Sequence, residues 1–186
     1  MPTYQHSNQV RIIGGVCRGR KVNFASSEGL RPTADMVRER LFNWLGQDLT
    51  GLNVLDLFAG SGALGLEAAS RNAANVVMVE KNRNAAHVLK RNIETLGLNN
   101  SVSVLMGDAL SYLQNVDQQF DVVFLDPPFA WSDWPVLFTK LHQCLFEKAK
   151  VYIEVGNIPA FPEWLIDFRE GKSGKSKFFL KEYHVI

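Results

Sequence analysis

Apolar residues fall into two alternating rhythms along this chain. Short, nearly unbroken apolar runs, VLDLF from residue 54 and FDVVFL from residue 120, have the pattern of strands buried on both faces. Between them, apolar positions recur every three or four residues, as on helices packed by one stripe. Val37, Leu41, Phe42 and Leu45 form such a stripe, with Asp35, Arg38 and Glu39 toward its polar side. The spacing predicts helices over 34–45, 62–71, 82–96 and 134–146, with short ones after Asp108 and near 162–166. Thr33 is the expected N-cap of the first, and Gly46 and Gly97 are expected stops. Strands are predicted over 52–58, 75–80, 101–106, 120–126 and 149–155.

Strands that alternate with helices through short connections imply a parallel, doubly wound sheet. The end differs: residues 166–186 read as two strands joined by a Gly/Ser/Lys turn, an antiparallel hairpin closing the sheet edge. Residues 10–24 hold short β-prone pieces around Gly14-Gly15 and Gly19, a small β extension carrying several arginines. The expected fold is α/β and Rossmann-like, with a mostly parallel seven-stranded sheet. Residues 1–33 would be a tail and extension, and 34–186 the main domain.

Composition adds bounds. A chain of 186 residues with 46% hydrophobic and 21% charged content can bury a full core as one domain. Its apolar runs fall short of the roughly 20 residues of a membrane span, no leader segment is visible, and a cytoplasmic location is expected. Cys17 and Cys144 lack metal-ligand spacing and are expected to be reduced and structural. Net charge is only +1, but the cations cluster. Arg11, Arg18, Arg20 and Lys21 stand together without an acid, and Arg169, Lys172, Lys175, Lys177 and Lys181 gather near the end. Such segments suit a polyanion or are solvated loops.

The chemistry is expected where polar residues end the strands, because doubly wound sheets bind ligands there. Asp56 and the 58–62 turn end the first strand of the main domain. Gly60, Gly62 and Gly65 satisfy G-x-G-x-x-G, which lets the backbone approach a nucleoside or phosphate. Glu80 ends the second strand, where a carboxylate accepts from a ribose diol or lies solvated. Asp108 ends the third and would accept from an adenine amino group or cap the next helix. Asp126-Pro127-Pro128-Phe129 ends the fourth. Two prolines remove two amide donors, leaving the Asp126 carboxylate and the Pro127 carbonyl as acceptors for an exocyclic NH₂, with Phe129 placed to stack on its ring. Gly171-Lys172-Ser173-Gly174-Lys175-Ser176 lacks the first glycine of a phosphate loop and joins two strands, so it is set aside. His6, His87, His142 and His184 form no ligand set, and no metal is expected.

The order of glycine turn, acid, acid and DPPF resembles the S-adenosylmethionine-dependent amino-group methyltransferases of nucleic acids. Arg11-Ile12-Ile13-Gly14-Gly15, Arg18-Gly19-Arg20, Leu30-Arg31-Pro32-Thr33 and Val37-Arg38-Glu39-Arg40-Leu41-Phe42-Asn43 are similar to the bacterial 16S ribosomal RNA guanine-N2 methyltransferases, the RsmD-like family. The likeness runs from about Arg11 to the terminal hairpin. DPPF is shared with adenine and cytosine enzymes and does not itself identify the base. The resemblance implies the class I methyltransferase fold and S-adenosylmethionine as cofactor. The cofactor would lie over Phe58, Gly60 and Gly62, with Glu80 on the ribose and Asp108 and Ala109 near the adenine. Asp56, Arg31 and Thr33 would flank the methionine moiety. A flipped guanine would meet Asp126, Pro127 and Phe129, and Arg18, Arg20, Lys21 and Arg38 would contact RNA phosphates. The implied partner is 16S ribosomal RNA in a small-subunit particle, met by a monomer. An adenine-N6 enzyme, an NAD-dependent oxidoreductase and a non-catalytic RNA-binding module are the alternatives.

Overall fold

The computed structural model describes residues 8–25 and 33–186. Strands β1 (Gln9–Arg11) and β2 (Lys21–Asn23) pair antiparallel as a two-stranded ribbon. The main sheet holds β3 (Asn53–Asp56), β4 (Asn75–Glu80), β5 (Val102–Met106), β6 (Phe120–Leu125), β7 (Leu145–Val155), β8 (Leu165–Ser173) and β9 (Ser176–Tyr183). Their spatial order is β5-β4-β3-β6-β7-β9-β8. The first five in that order run parallel, and β9 pairs antiparallel with both β7 and β8. The Rossmann-like sheet, its seven strands and its antiparallel terminal hairpin are as expected.

Alternate strand residues feed two cores. Val54, Val76, Val122, Phe124 and Tyr152 face helices α1 (Asp35–Leu45), α2 (Ala63–Ser70) and α3 (Arg83–Leu96). Leu55, Val77, Val123, Val151 and Ile153 face α4 (Ala109–Asn115) and α5 (Trp134–Leu141). The N-terminal ribbon joins the first core through Val10, Ile12, Cys17 and Val22. Every residue of α2 is buried, because the ribbon covers the side that solvent would otherwise wet.

Four expectations are corrected. Thr33 does not cap α1; Ala34 takes the N-cap position with no side-chain cap bond, and the Thr33 hydroxyl is directed elsewhere. Arg38 is not on a polar face but 1% exposed, drawn inward by two acids. The helix expected through 146 stops at Leu141 and passes a 3₁₀ turn, His142–Cys144, because the sheet captures Leu145 beside Phe120. No helix forms near 162–166: a turn closed by Leu165 N–H on the Pro162 carbonyl (3.1 Å) delivers Leu165 into β8 opposite Tyr183.

Candidate active site

The carboxyl ends of the parallel strands open into a cleft of about 1600 Å³. Gly60 and Ser61 line its floor, in a turn whose two glycines, Gly60 and Gly62, are both at positive φ (54° and 83°). At Gly62 a side chain is excluded by the core rather than by a ligand: a Cβ there would meet Leu89 at 2.5 Å. Gly65 likewise lets α2 press on β3 and β4, its ideal Cβ lying 3.0 Å from Met78 and 3.1 Å from the Asp56 carboxylate. The glycines therefore fix how closely the helix approaches the sheet, and the turn's shape follows.

Glu80 braces that turn. Its Oε2 accepts from Gly60 N–H at 2.6 Å and its Oε1 from Asn82 N–H at 2.9 Å. Asp56 lies beneath, 1% exposed; Oδ2 accepts from Gly65 N–H at 3.0 Å, while the buried Oδ1 has no hydrogen-bond partner among the described residues. Burial foremost, with the nearby Glu80 charge, pushes the Asp56 carboxyl up to about 7. An unpaired buried oxygen at the cleft is costly and fits a site completed by a ligand that donates a proton or brings positive charge. Asp108 caps α4, accepting from Ser111 N–H at 3.2 Å, which is the capping alternative for this residue. Asp108 and Ala109 both border the cleft, as do Phe58 and Thr33. Phe58 stands edge-on to Trp131, ring centroids 5.3 Å apart, and Trp131 edge-on to Trp134 at 5.1 Å, giving one wall an aromatic lining.

Across the cleft stands the end of β6. Asp126 receives the Thr33 hydroxyl on Oδ2 at 3.1 Å. Its carboxyl is held well above the ordinary range, first by burial and then by the charge of Glu154. Pro128 offers its carbonyl to Trp131 N–H at 2.9 Å, whereas the Pro127 carbonyl has no partner among the described residues. Phe129 is 70% exposed at the cleft, its ring lying where a Cβ on Gly156 would stand, 2.2 Å away. Asp126, Pro127 and Phe129 thus all border the cleft.

Sequence reasoning missed three contributors. Glu154, near the end of β7, lies beside Asp126 and takes the Tyr152 hydroxyl on Oε2 at 3.0 Å. Its only signal was a lone acid inside the apolar run of residues 151–155. Glu67, 0% exposed, anchors the N-terminal ribbon by accepting Ile13 N–H (2.8 Å) and Gly14 N–H (3.1 Å). It also pairs with Arg38 (3.4 Å) and Arg71 (3.2 Å). The turn between β8 and β9, set aside above, reaches the cleft through Ser173, Gly174, Lys175 and Ser176.

The basic candidates separate. Arg18, Arg20 and Lys21 are exposed on the ribbon, and Arg20 rests on the Thr95 carbonyl at the end of α3 (3.0 Å). Arg38 is committed to Glu67, to Asp35 (2.6 Å) and to the Thr33 carbonyl (3.2 Å), so it has no face left for a phosphate. Arg31 lies outside the described residues. Among the described residues no cluster of His, Cys, Asp and Glu could hold a metal ion, and no helix is long and apolar enough to cross a membrane.

The chain is similar to several known proteins. The model of the family described as Conserved hypothetical protein 95 matches residues 10–182. The protein named ribosomal RNA small subunit methyltransferase D of Escherichia coli (strain K12) is 48% identical over 155 residues, 82% of this chain and 78% of that one. Among solved structures, the Escherichia coli yhhF protein superposes with a TM-score of 0.86 at 38% identity, covering 96% of this chain and 99% of its own. An RNA methyltransferase from Salinibacter ruber, solved with S-adenosyl-L-homocysteine, shares the fold at a TM-score of 0.62 and 20% identity, over 83% of this chain and 94% of its own.

Proposed function

Since the chain belongs to the Conserved hypothetical protein 95 family, together with the small-subunit ribosomal RNA methyltransferase D proteins, we propose that it methylates the N2 amino group of a guanine in 16S ribosomal RNA, using S-adenosylmethionine. The observation that carries the chemistry is the pairing of the Gly60–Gly62 turn with Asp126-Pro127-Pro128-Phe129 across one cleft.

Asp56 and the braced turn hold the donor's polar end, where the unpaired Oδ1 gains a partner, and Glu80 and Asp108 border the room for its nucleoside. When bound, S-adenosylmethionine supplies a methyl on a sulfonium sulfur, whose S–C pair leaves with sulfur as the C–N bond forms. The chain's own work is positioning. Phe129 stacks on the extruded guanine. Asp126 and the Pro127 carbonyl accept hydrogen bonds from the two amino N–H groups, which turns the nitrogen lone pair out of conjugation with the ring. Asp126 then takes the proton released for each methyl transferred; its raised affinity for protons suits that task. Arg18 and Lys21 on the ribbon hold RNA phosphates, and a small-subunit particle presents the base to one copy of the chain.

The test is methyl transfer from labelled S-adenosylmethionine to small-subunit particles and to naked 16S RNA, both from cells lacking this protein, followed by nucleoside mass mapping. N2-methylguanosine at a single position is expected, with particles the better substrate. Label on adenine, or no label on either RNA, overturns the reading.

A further inference from the structure

Asp126 has a neighbour that the reaction as described leaves unused. Leu125 of β6 pairs with Ile153 of β7, so the next residues, Asp126 just past β6 and Glu154 still within β7, stand side by side on two adjacent parallel chain segments, about 4.8 Å apart in the backbone. Both line the cleft. Glu154 does not drift in solvent. Its Oε2 accepts the Tyr152 hydroxyl at 3.0 Å, and the Tyr152 ring is fully buried between Phe124 and Phe178, with centroids at 6.3 Å and 6.5 Å. Oε1 has no hydrogen bond among the described residues. A cleft-lining carboxylate oriented by a buried tyrosine, with its second oxygen unbonded, is an acceptor awaiting a donor.

Guanine supplies one. Its Watson–Crick edge carries two donors in a row, the N2 amino group and N1–H. Adenine carries an amino group beside a bare N1, which is an acceptor. Two carboxylates on neighbouring strand ends match the first edge and repel the second. We propose that Glu154 reads the N1–H of the target base and is the residue that selects guanine over adenine. The inference rests on the reading of the enzyme as a guanine-N2 methyltransferase. It assigns specificity to β7, because the DPPF turn on β6 offers the same acceptors to any exocyclic amine. Burial holds the Glu154 carboxyl above its ordinary range, in keeping with a group whose solvation is replaced by a bound donor.

The experiment changes the base edge on one side and the carboxylate on the other. RNA carrying 2-aminopurine at the target keeps the N2 amino group, but its N1 is an acceptor and its O6 is missing. Glu154→Gln keeps an oxygen for Tyr152 and offers an N–H in place of Oε1. Wild type should prefer guanine to 2-aminopurine by about 10- to 100-fold in kcat/KM, and Glu154→Gln should shrink that ratio by a similar factor by losing guanine and gaining 2-aminopurine. S-adenosylmethionine affinity, read by calorimetry, should stay within about threefold, because the change is at the base. An unchanged ratio in the variant overturns the proposal, since a structural role would slow both RNAs alike. Wild type that methylates both RNAs equally also overturns it, whatever the variant's stability. Wild type that leaves N2 of guanine unmethylated defeats the underlying function instead, so the two failures are distinct.

Discussion

The guanidinium of Arg38 lies 3.4 Å from the carboxylate of Glu67, and both side chains are sealed from solvent. Around that pair gather Arg71, Asp35 and two backbone amides of the N-terminal ribbon. Removing one partner strands a buried charge. Arg38→Ala is expected to cost about 3–5 kcal/mol, read as a fall in the denaturant midpoint. By contrast, Arg18→Ala should leave the midpoint unchanged and lower the salt slope of RNA binding by about one unit.

Asp126→Ala should lower kcat by about a thousandfold or more, since in the proposed mechanism it removes both an acceptor that orients the amine and the proton's destination. S-adenosylmethionine should bind with nearly unchanged affinity, because the glycine turn is braced by Glu80 on another strand. Single-turnover transfer and calorimetry separate the two quantities. Full activity in the variant would remove the DPPF turn from the mechanism.

Asp56 predicts the pH dependence of the ligand-free protein. Its folded carboxyl sits near 7 against an ordinary 3.8. Between those values the folded state holds a proton that the unfolded chain has released. Its contribution to stability is therefore complete below about 4 and is lost as pH rises through 7. At most about 4 kcal/mol is at stake, at 1.36 kcal/mol per unit. Urea titrations at pH values across that window should show wild type weakening toward neutrality relative to Asp56→Asn, which cannot titrate. Parallel curves for the two proteins would refute the assignment.

Gly156→Ala tests the Phe129 platform. The new methyl would stand 2.2 Å from the ring, which is 70% exposed and can swing away. Stability should change by less than about 0.5 kcal/mol, because the nearest neighbours of half-buried Gly156 are atoms of the exposed Phe129 ring. If Phe129 stacks on the base as proposed, methyl transfer should fall by about 10- to 100-fold, because a displaced ring would no longer hold the base in line. A kinetic scan beside a melting curve would show the two effects part.

The parallel sheet was legible because its strands are written without alternation: FDVVFL and VLDL carry apolar residues toward both faces. The polar strand ends were legible for the complementary reason, since each acid interrupts or closes such a run. Glu154 obeyed the same rule, yet it stands one residue before the last strand residue, Val155, and the apolar stretch around it masked it. Arg38 was misread because helical spacing places it beside Asp35 and Glu39, while the partner that pulls it inward, Glu67, is 29 residues away. The helix expected near 162–166 lost to sheet pairing: Trp164 gives its carbonyl to His184 N–H (3.0 Å), and propensity yields to such long-range bonds. The lysine-rich turn matched no local motif, and only the hairpin's length carries it to the cleft.

Helix α2 begins at the glycine turn and ends at Ser70, whose hydroxyl grips the ribbon through the Gly14 carbonyl (2.6 Å) and Cys17 N–H (2.9 Å). Eight residues of helix measure about 12 Å. That span acts as a ruler: it sets how far the proposed phosphate holders, Arg18 and Lys21, stand from the glycine turn. A longer or shorter α2 would leave both ends chemically intact and shift the reach of the enzyme along its RNA.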